Sequence, residues 1–215
     1  MKLLLRFFLT IIFVGGVGLL PSLAHSSTQT GRKPNVIFIL VDDMGYGDLS
    51  SFGSKDIRTP NIDRLAKEGV KLTQMYSNGP VCTPTRAAFI TGRYQQRVGL
   101  EWAISATEKE PGLSVEEGSI ARALKNNGYA TALFGKWHLG SKPEFLPTRH
   151  GFDEFFGIVG GNADMYSHRN LPGDNVLYEG EKQTEIKGYL TEHLAQRSVD
   201  FIQRQKAKPF FLYLA

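Results

Sequence analysis

The run Val36-Ile37-Phe38-Ile39-Leu40-Val41 constrains this chain more than any other stretch. Six consecutive apolar residues, several of them β-branched, fit a strand with both faces covered. Such strands belong to parallel sheets, whose crossover helices shield the two faces. The rest of the chain supplies the alternation that this requires. Thr59-Pro60 opens a helix with Ile62, Leu65 and Ala66 on one side and Gly69 closing it. Val70 to Tyr76 is a candidate second strand. Thr83-Pro84 repeats the cap-and-proline signal for a helix that Gly92 ends. Ser114 to Asn127 carries helical spacing at Ile120, Ala123 and Leu124. Tyr129 to Phe134 is a strand, Gly188 to Lys206 the longest helix, and Pro209 to Ala215 a final strand, whose Phe210 to Ala215 is expected to present an open apolar edge. Gly140 to Gly188 is rich in Gly, Asn, Pro and Tyr and reads as a long irregular excursion facing substrate. Alternating strands and helices predict an α/β fold.

The first residues carry a different message. Lys2 and Arg6 precede the apolar stretch Phe7 to Leu20, and Ser22-Leu23-Ala24 places small residues where a signal peptidase reads. Residues 1–24 are expected to be a signal peptide, 25–32 a linker and 33–215 the folded part. The alternative is an uncleaved anchor, but the apolar run is short for a membrane span. The protein is therefore expected to be exported, to a periplasm, to the outside or to a lysosomal type of lumen, with no stable membrane insertion after cleavage. The formal net charge of the whole chain is +4, and the leader holds two of those charges. That balance is too mild to point to nucleic acid.

The chain has one cysteine. A lone cysteine in an oxidising compartment forms no intramolecular disulfide, so it is either a small buried hydrophobe or a group kept for its chemistry. Its surroundings are VCTPTRAAFITGRY, residues 81–94. Cys82 falls at the expected start of a helix, where backbone N–H groups and the dipole favour an anion. Arg86 follows one turn later and can offer a planar two-donor fork to sulfate or phosphate. A cysteine phosphatase loop needs Arg six positions after its Cys, and position 88 is Ala. A structural zinc site needs more thiolates than one.

In such sheets, sites form at the carboxyl ends of strands. Asp42-Asp43 follows the first strand directly and could bind a hard divalent cation through oxygen, or could be a solvated turn. Gly135-Lys136-Trp137-His138 follows the Tyr129–Phe134 strand. In extended backbone Lys136 and His138 face one side, where they could supply charge and proton transfer to a bound anion.

Cys82-Thr83-Pro84-Thr85-Arg86, the Asp-Asp pair and the Gly135–Gly140 box together resemble the signatures of the sulfatase family. The likeness runs from Lys33 to Ala215 and includes Thr59 to Ala66 and His150 to Gly157. Leu146 to Asp153 looks like the arylsulfatase B and N-acetylgalactosamine-6-sulfatase branch. The resemblance implies an alkaline-phosphatase-like fold, a central mixed sheet flanked by helices, present here for about the first half of the catalytic domain. It implies that a maturation enzyme oxidises Cys82 to formylglycine and that the hydrated aldehyde attacks a sulfate ester. Asp42, Asp43 and the residue at 82 would ligate calcium, Arg86 would steady the hydrated aldehyde, Lys136 would bind sulfate, and His138 would assist sulfate elimination. The expected substrates are sulfated sugars or aryl sulfates. The family's second Asp-Asn pair, a further His and another Lys come later than Ala215, so this chain alone is expected to be inactive. A phosphonate or phosphodiester hydrolase of the same superfamily, or a non-catalytic exported fragment, stays open at this stage.

Overall fold

The structure, a computed structural model, describes residues 31–105 and 111–215. The expected signal peptide and most of the linker lie outside the described residues. Residues Lys33–Ala215 form one compact unit. Six strands, β1 (Val36–Ile39), β2 (Ala130–Phe134), β3 (Glu154–Ile158), β4 (Leu177–Glu179), β5 (Lys182–Gln183) and β6 (Phe210–Leu214), make one sheet in the order β1-β6-β2-β3-β4-β5. The first four in that order run parallel, and β4 and β5 are antiparallel, so the sheet is mixed.

Alternation along the central strands builds a core on each face. Phe211 and Tyr213 of β6 and Leu133 of β2 point toward helix α2 (Cys82–Thr91) and α3 (Ile120–Asn126), where Ala87, Ile90, Ala121, Trp137 and Phe152 join them. Phe210 and Leu212 of β6 with Ala132 and Phe134 of β2 point the other way. They meet Leu190, Leu194 and Phe201 of α4 (Leu190–Arg204). This is the helix–sheet–helix layering that the alternating pattern implies. Helix α1 (Pro60–Glu68) starts after Thr59 and closes at Gly69 as read from its signals, yet Ile62 and Leu65 are exposed.

Four expectations change. First, Val36–Val41 is not covered on both faces: Val36, Phe38 and Leu40 pack on the core, while Ile37 (48 %), Ile39 (55 %) and Val41 are exposed. β1 is an edge strand within the described residues, and nothing there covers its second face. Second, Val70 to Tyr76 forms no strand; it meets no partner ladder among the described residues, and Val70, Leu72, Met75 and Tyr76 stand exposed. Third, the Gly140–Gly188 excursion contains β3, β4 and β5, because short aromatic segments such as Phe155-Phe156 find a ladder against β2 that their glycine-rich flanks conceal. Fourth, the strand ending the chain is not an open edge. β6 lies between β1 and β2, paired with both.

Candidate active site

The polar groups singled out in the sequence lie at the carboxyl ends of β1, β6 and β2 and at the start of α2. Pairing of β1 continues for one residue beyond Ile39, through the bond from the Leu40 N–H to the Leu214 carbonyl. The chain then turns at Asp42 and Asp43, and Asp43 adopts a left-handed backbone, φ 55°. Beyond β2, the segment is laced into the sheet end: the Lys136 N–H donates to the Ala215 carbonyl, Trp137 to Ile158 and His138 to Val159. Gly135, at φ 121°, permits this. A Cβ there would lie 1.8 Å from the Ala215 carbonyl oxygen.

Helix α2 begins two residues earlier than its sequence signals suggest. Val81 is the extended cap residue and Cys82 the first helical residue, with Pro84 in the first turn, where backbone donors have no intrahelical partner. Cys82 and Arg86 therefore stand one turn apart on the side facing β1. Arg86, 1 % exposed, is the hub. Its Nη2 donates to Asp42 Oδ1 at 3.1 Å, and its Nη1 donates to the Lys136 carbonyl at 2.7 Å and meets the Tyr213 hydroxyl at 3.3 Å. The Lys136 ammonium sits 2.8 Å from Asp42 Oδ2 and 3.1 Å from Cys82 Sγ. Both carboxylate oxygens of Asp42 thus carry a cationic partner. Burial pulls the Asp42 carboxyl upward, but the bonded Lys136 and the Arg86 guanidinium outweigh it and hold the group below its ordinary value. Burial pushes the Tyr213 hydroxyl up to about 12, so it remains a neutral partner for Arg86.

Donor atoms of Asp42, Asp43 and Cys82 lie within 4.8 Å of one another. Among the described residues this is the one cluster of three such groups. Its chemistry fits a hard cation only in part. Two carboxylates suit calcium, whereas a thiol is a soft ligand that does not. An oxygen-bearing side chain at position 82 would complete a consistent hard donor set.

His138 departs from the expected arrangement. Its φ is 55°, so the backbone is not extended and simple alternation with Lys136 fails. Its ring bonds through Nε2 to the Ile104 carbonyl at 2.8 Å. Burial pushes the imidazole below its ordinary pKa against that bond, and the positive charges of Lys136 and Arg86 act in the same direction. Sequence reasoning missed two residues at this site. Tyr213 hides in the apolar run Phe210–Leu214, where a lone hydroxyl is the available signal. Thr83 sits inside the cysteine motif and is fully buried, bonded to the His138 carbonyl.

The sulfatase family model matches residues 34–215, and the chain belongs to the sulfatase family. It is 39 % identical over 204 residues to N-acetylgalactosamine-6-sulfatase of Canis lupus familiaris, covering 86 % of this chain and 39 % of that protein. The crystal structure of Ps i-CgsB in complex with k-i-k-neocarrahexaose superposes with a TM-score of 0.80 at 36 % identity, over 86 % of this chain and 45 % of that one. A further solved protein, in complex with its substrate D-glucosamine-2-N,6-O-disulfate, gives a TM-score of 0.69 at 30 % identity, over 85 % of this chain and 34 % of that one. The mixed sheet is therefore part of the alkaline-phosphatase-like sulfatase fold. The chain spans about two fifths of the length of the curated relative it matches.

Proposed function

We propose that this protein hydrolyses sulfate esters of sugars, with Cys82 converted to formylglycine by a maturation enzyme and with calcium held by Asp42, Asp43 and the oxygen at position 82. The observation that carries this reading is the meeting of Cys82, Lys136, Arg86 and Asp42 within hydrogen-bonding reach at the sheet's carboxyl edge. The sugar preference is taken from the relatives acting on N-acetylgalactosamine-6-sulfate-type and glucosamine disulfate substrates, as their names state.

Hydrated formylglycine supplies the hydroxyl that attacks sulfur and, through its second hydroxyl, the means of expelling sulfate as the aldehyde returns. The protein's own groups prepare that position. Lys136, poised against Cys82 Sγ, offers a fixed ammonium to sulfate oxygens and to charge building up beside position 82. Arg86 is held by the Lys136 carbonyl and Tyr213, so its guanidinium needs no reorientation when charge develops. Asp42 balances the two cations, and Asp43 adds the second hard oxygen donor. His138, kept neutral by burial, can take and return a proton during sulfate release. On this reading the protein acts outside the cytosol. Among the described residues no helix is long and apolar enough to cross a membrane.

The test uses the complete protein made with a formylglycine-generating enzyme. Mass spectrometry of the peptide spanning Val81 to Arg86 should find an aldehyde in place of the thiol. The matured protein should cleave a chromogenic aryl sulfate well ahead of the matching aryl phosphate, and Cys82→Ala should abolish turnover. A thiol that persists beside an active maturation enzyme, or faster cleavage of the phosphate, would refute the reading.

A further inference from the structure

Thr83 takes no part in the chemistry above, yet its hydroxyl is the most constrained in the site. The residue is fully buried. Its Oγ1 donates to the His138 carbonyl at 2.9 Å and accepts from the Ile104 N–H at 3.1 Å. The Ile104 carbonyl in turn meets His138 Nε2 at 2.8 Å. Three segments far apart in sequence are thereby closed into one ring of hydrogen bonds: Thr83 to His138, His138 to Ile104, and Ile104 back to Thr83.

That ring decides a chemical question. A carbonyl oxygen only accepts, so Nε2 must carry the hydrogen it shares with Ile104. In the neutral imidazole the lone pair then lies on Nδ1, which is buried and has no hydrogen-bond partner among the described residues. The ring also explains how the backbone of His138 is kept at φ 55°, an unfavourable conformation for a side-chain-bearing residue that must be held by its surroundings. Gly161 closes the other side. A Cβ on it would come within 2.5 Å of the imidazole, so the glycine lets the chain press against the ring.

We propose that Thr83 is a positioning residue: through Ile104 it fixes His138 in the Nε2–H tautomer and leaves Nδ1 as the nitrogen that exchanges a proton in the reaction. The inference rests on the sulfatase reading for the reaction, but the tautomer stands on geometry alone. Position 83 is one of the two open positions of Cys-x-Pro-x-Arg, so its substitution leaves the maturation signal intact.

The experiment takes complete, matured protein with 15N-labelled histidine and compares wild type with Thr83→Ser, Thr83→Val and Thr83→Ala, conversion at position 82 being checked by mass in each. In the wild type the His138 signals should show a protonated Nε2 and a bare Nδ1. Thr83→Ser keeps both bonds and should stay within about threefold in kcat. Thr83→Val removes donor and acceptor at nearly constant volume. It should lose the single tautomer and drop kcat by about 10- to 100-fold with KM within about twofold, as expected for a misplaced but present catalytic group. If Thr83→Val does not fold, Thr83→Ala and the wild-type spectrum decide in its place. A protonated Nδ1 in the wild type overturns the proposal. So does a fully converted Thr83→Val or Thr83→Ala of lowered stability and unchanged kcat, which would make Thr83 a mere packing residue. A wild type that cleaves no sulfate ester, yet shows the Nε2–H tautomer and its loss in the variants, would sink the sulfatase reading and leave the positioning role standing.

Discussion

β6 and β1 have nearly interchangeable sequences, Phe-Phe-Leu-Tyr-Leu and Val-Ile-Phe-Ile, and they pair side by side in register. Their situations differ sharply. β6 is flanked by β1 and β2 and buried on both faces, whereas β1 has one neighbour among the described residues and bares Ile37 and Ile39. The site spans this divide. Lys136, His138 and Tyr213 rise from the packed centre, and Asp42 and Asp43 from the barely supported edge. Arg86 and Lys136 reach across and hold Asp42 from the packed side. Asp42 is thus placed less by its own strand than by the charges opposite it.

The largest effect should come from testing the packing itself. Phe211 of β6 is fully buried and stacks on Phe152 at a centroid separation of 6.0 Å. Phe211→Ala should cost about 3–5 kcal/mol, the range for emptying an aromatic site in a core. Ile37→Ala on β1 removes a half-exposed side chain and should cost less than about 1 kcal/mol. Urea unfolding of the complete protein measures both. Equal costs would mean that β1 is covered as β6 is, and the contrast between the two strands would collapse.

The packed half also carries a histidine titration of its own. His150 lies against Trp137, centroids 5.2 Å apart, and is 1 % exposed. Burial first, then the positive charge of Arg122, push its pKa down to about 4, with the Leu113 backbone pulling slightly the other way. A histidine whose folded pKa lies below its unfolded value of 6.5 binds fewer protons when folded. Its contribution is intact above pH 6.5 and is lost as pH falls from there toward 4. The loss should be on the order of 3 kcal/mol between those limits. His150→Phe keeps an aromatic ring against Trp137 and should flatten this part of the stability–pH curve. An unchanged slope in that variant would assign the acid sensitivity elsewhere, with His138, lowered in the same direction, the next group to test.

The contrast also marks what the sequence could and could not convey. The Cys82–Arg86 motif, Asp42-Asp43 and Lys136 were legible because each is a compact polar signal at the end of an apolar run, and the fold brings them together. The α/β class was legible from the alternation. An apolar run states that a strand wants cover, not whether it is covered, so Val36–Val41 read like a central strand and the β6 run like an edge. Val70 to Tyr76 had strand composition and no partner. The orientation of His138 was hidden because a left-handed φ at a histidine is imposed by the ring of bonds through Thr83 and Ile104, residues 55 and 34 positions away. Arg86 was readable as an anion ligand, but its anchoring by Tyr213 is a contact between a helix and a strand residue 127 positions apart.

The smallest effect sharpens the comparison within the edge itself, between two adjacent carboxylates. Asp42 is tied to both cations from the packed centre, and its folded pKa lies below the ordinary 3.8. Its contribution to stability is therefore present above that value and lost as pH falls through the lower folded one. Asp42→Asn leaves the nearly buried Arg86 and Lys136 without their counter-charge. Because Asp42 itself is close to half exposed and screened by water, the cost should stay near 1–2 kcal/mol, below that of breaking a fully buried pair. Asp43 is exposed and sits at φ 55°, a conformation asparagine accepts as readily as aspartate. Asp43→Asn should leave stability in chelator unchanged within about 0.5 kcal/mol. Both variants should nevertheless weaken calcium binding, measured by titration calorimetry, since each removes a charged oxygen donor from the cluster. Equal losses of stability in chelator would show that the two carboxylates share one structural role. Unchanged calcium binding in Asp43→Asn would take that residue out of the proposed cation site.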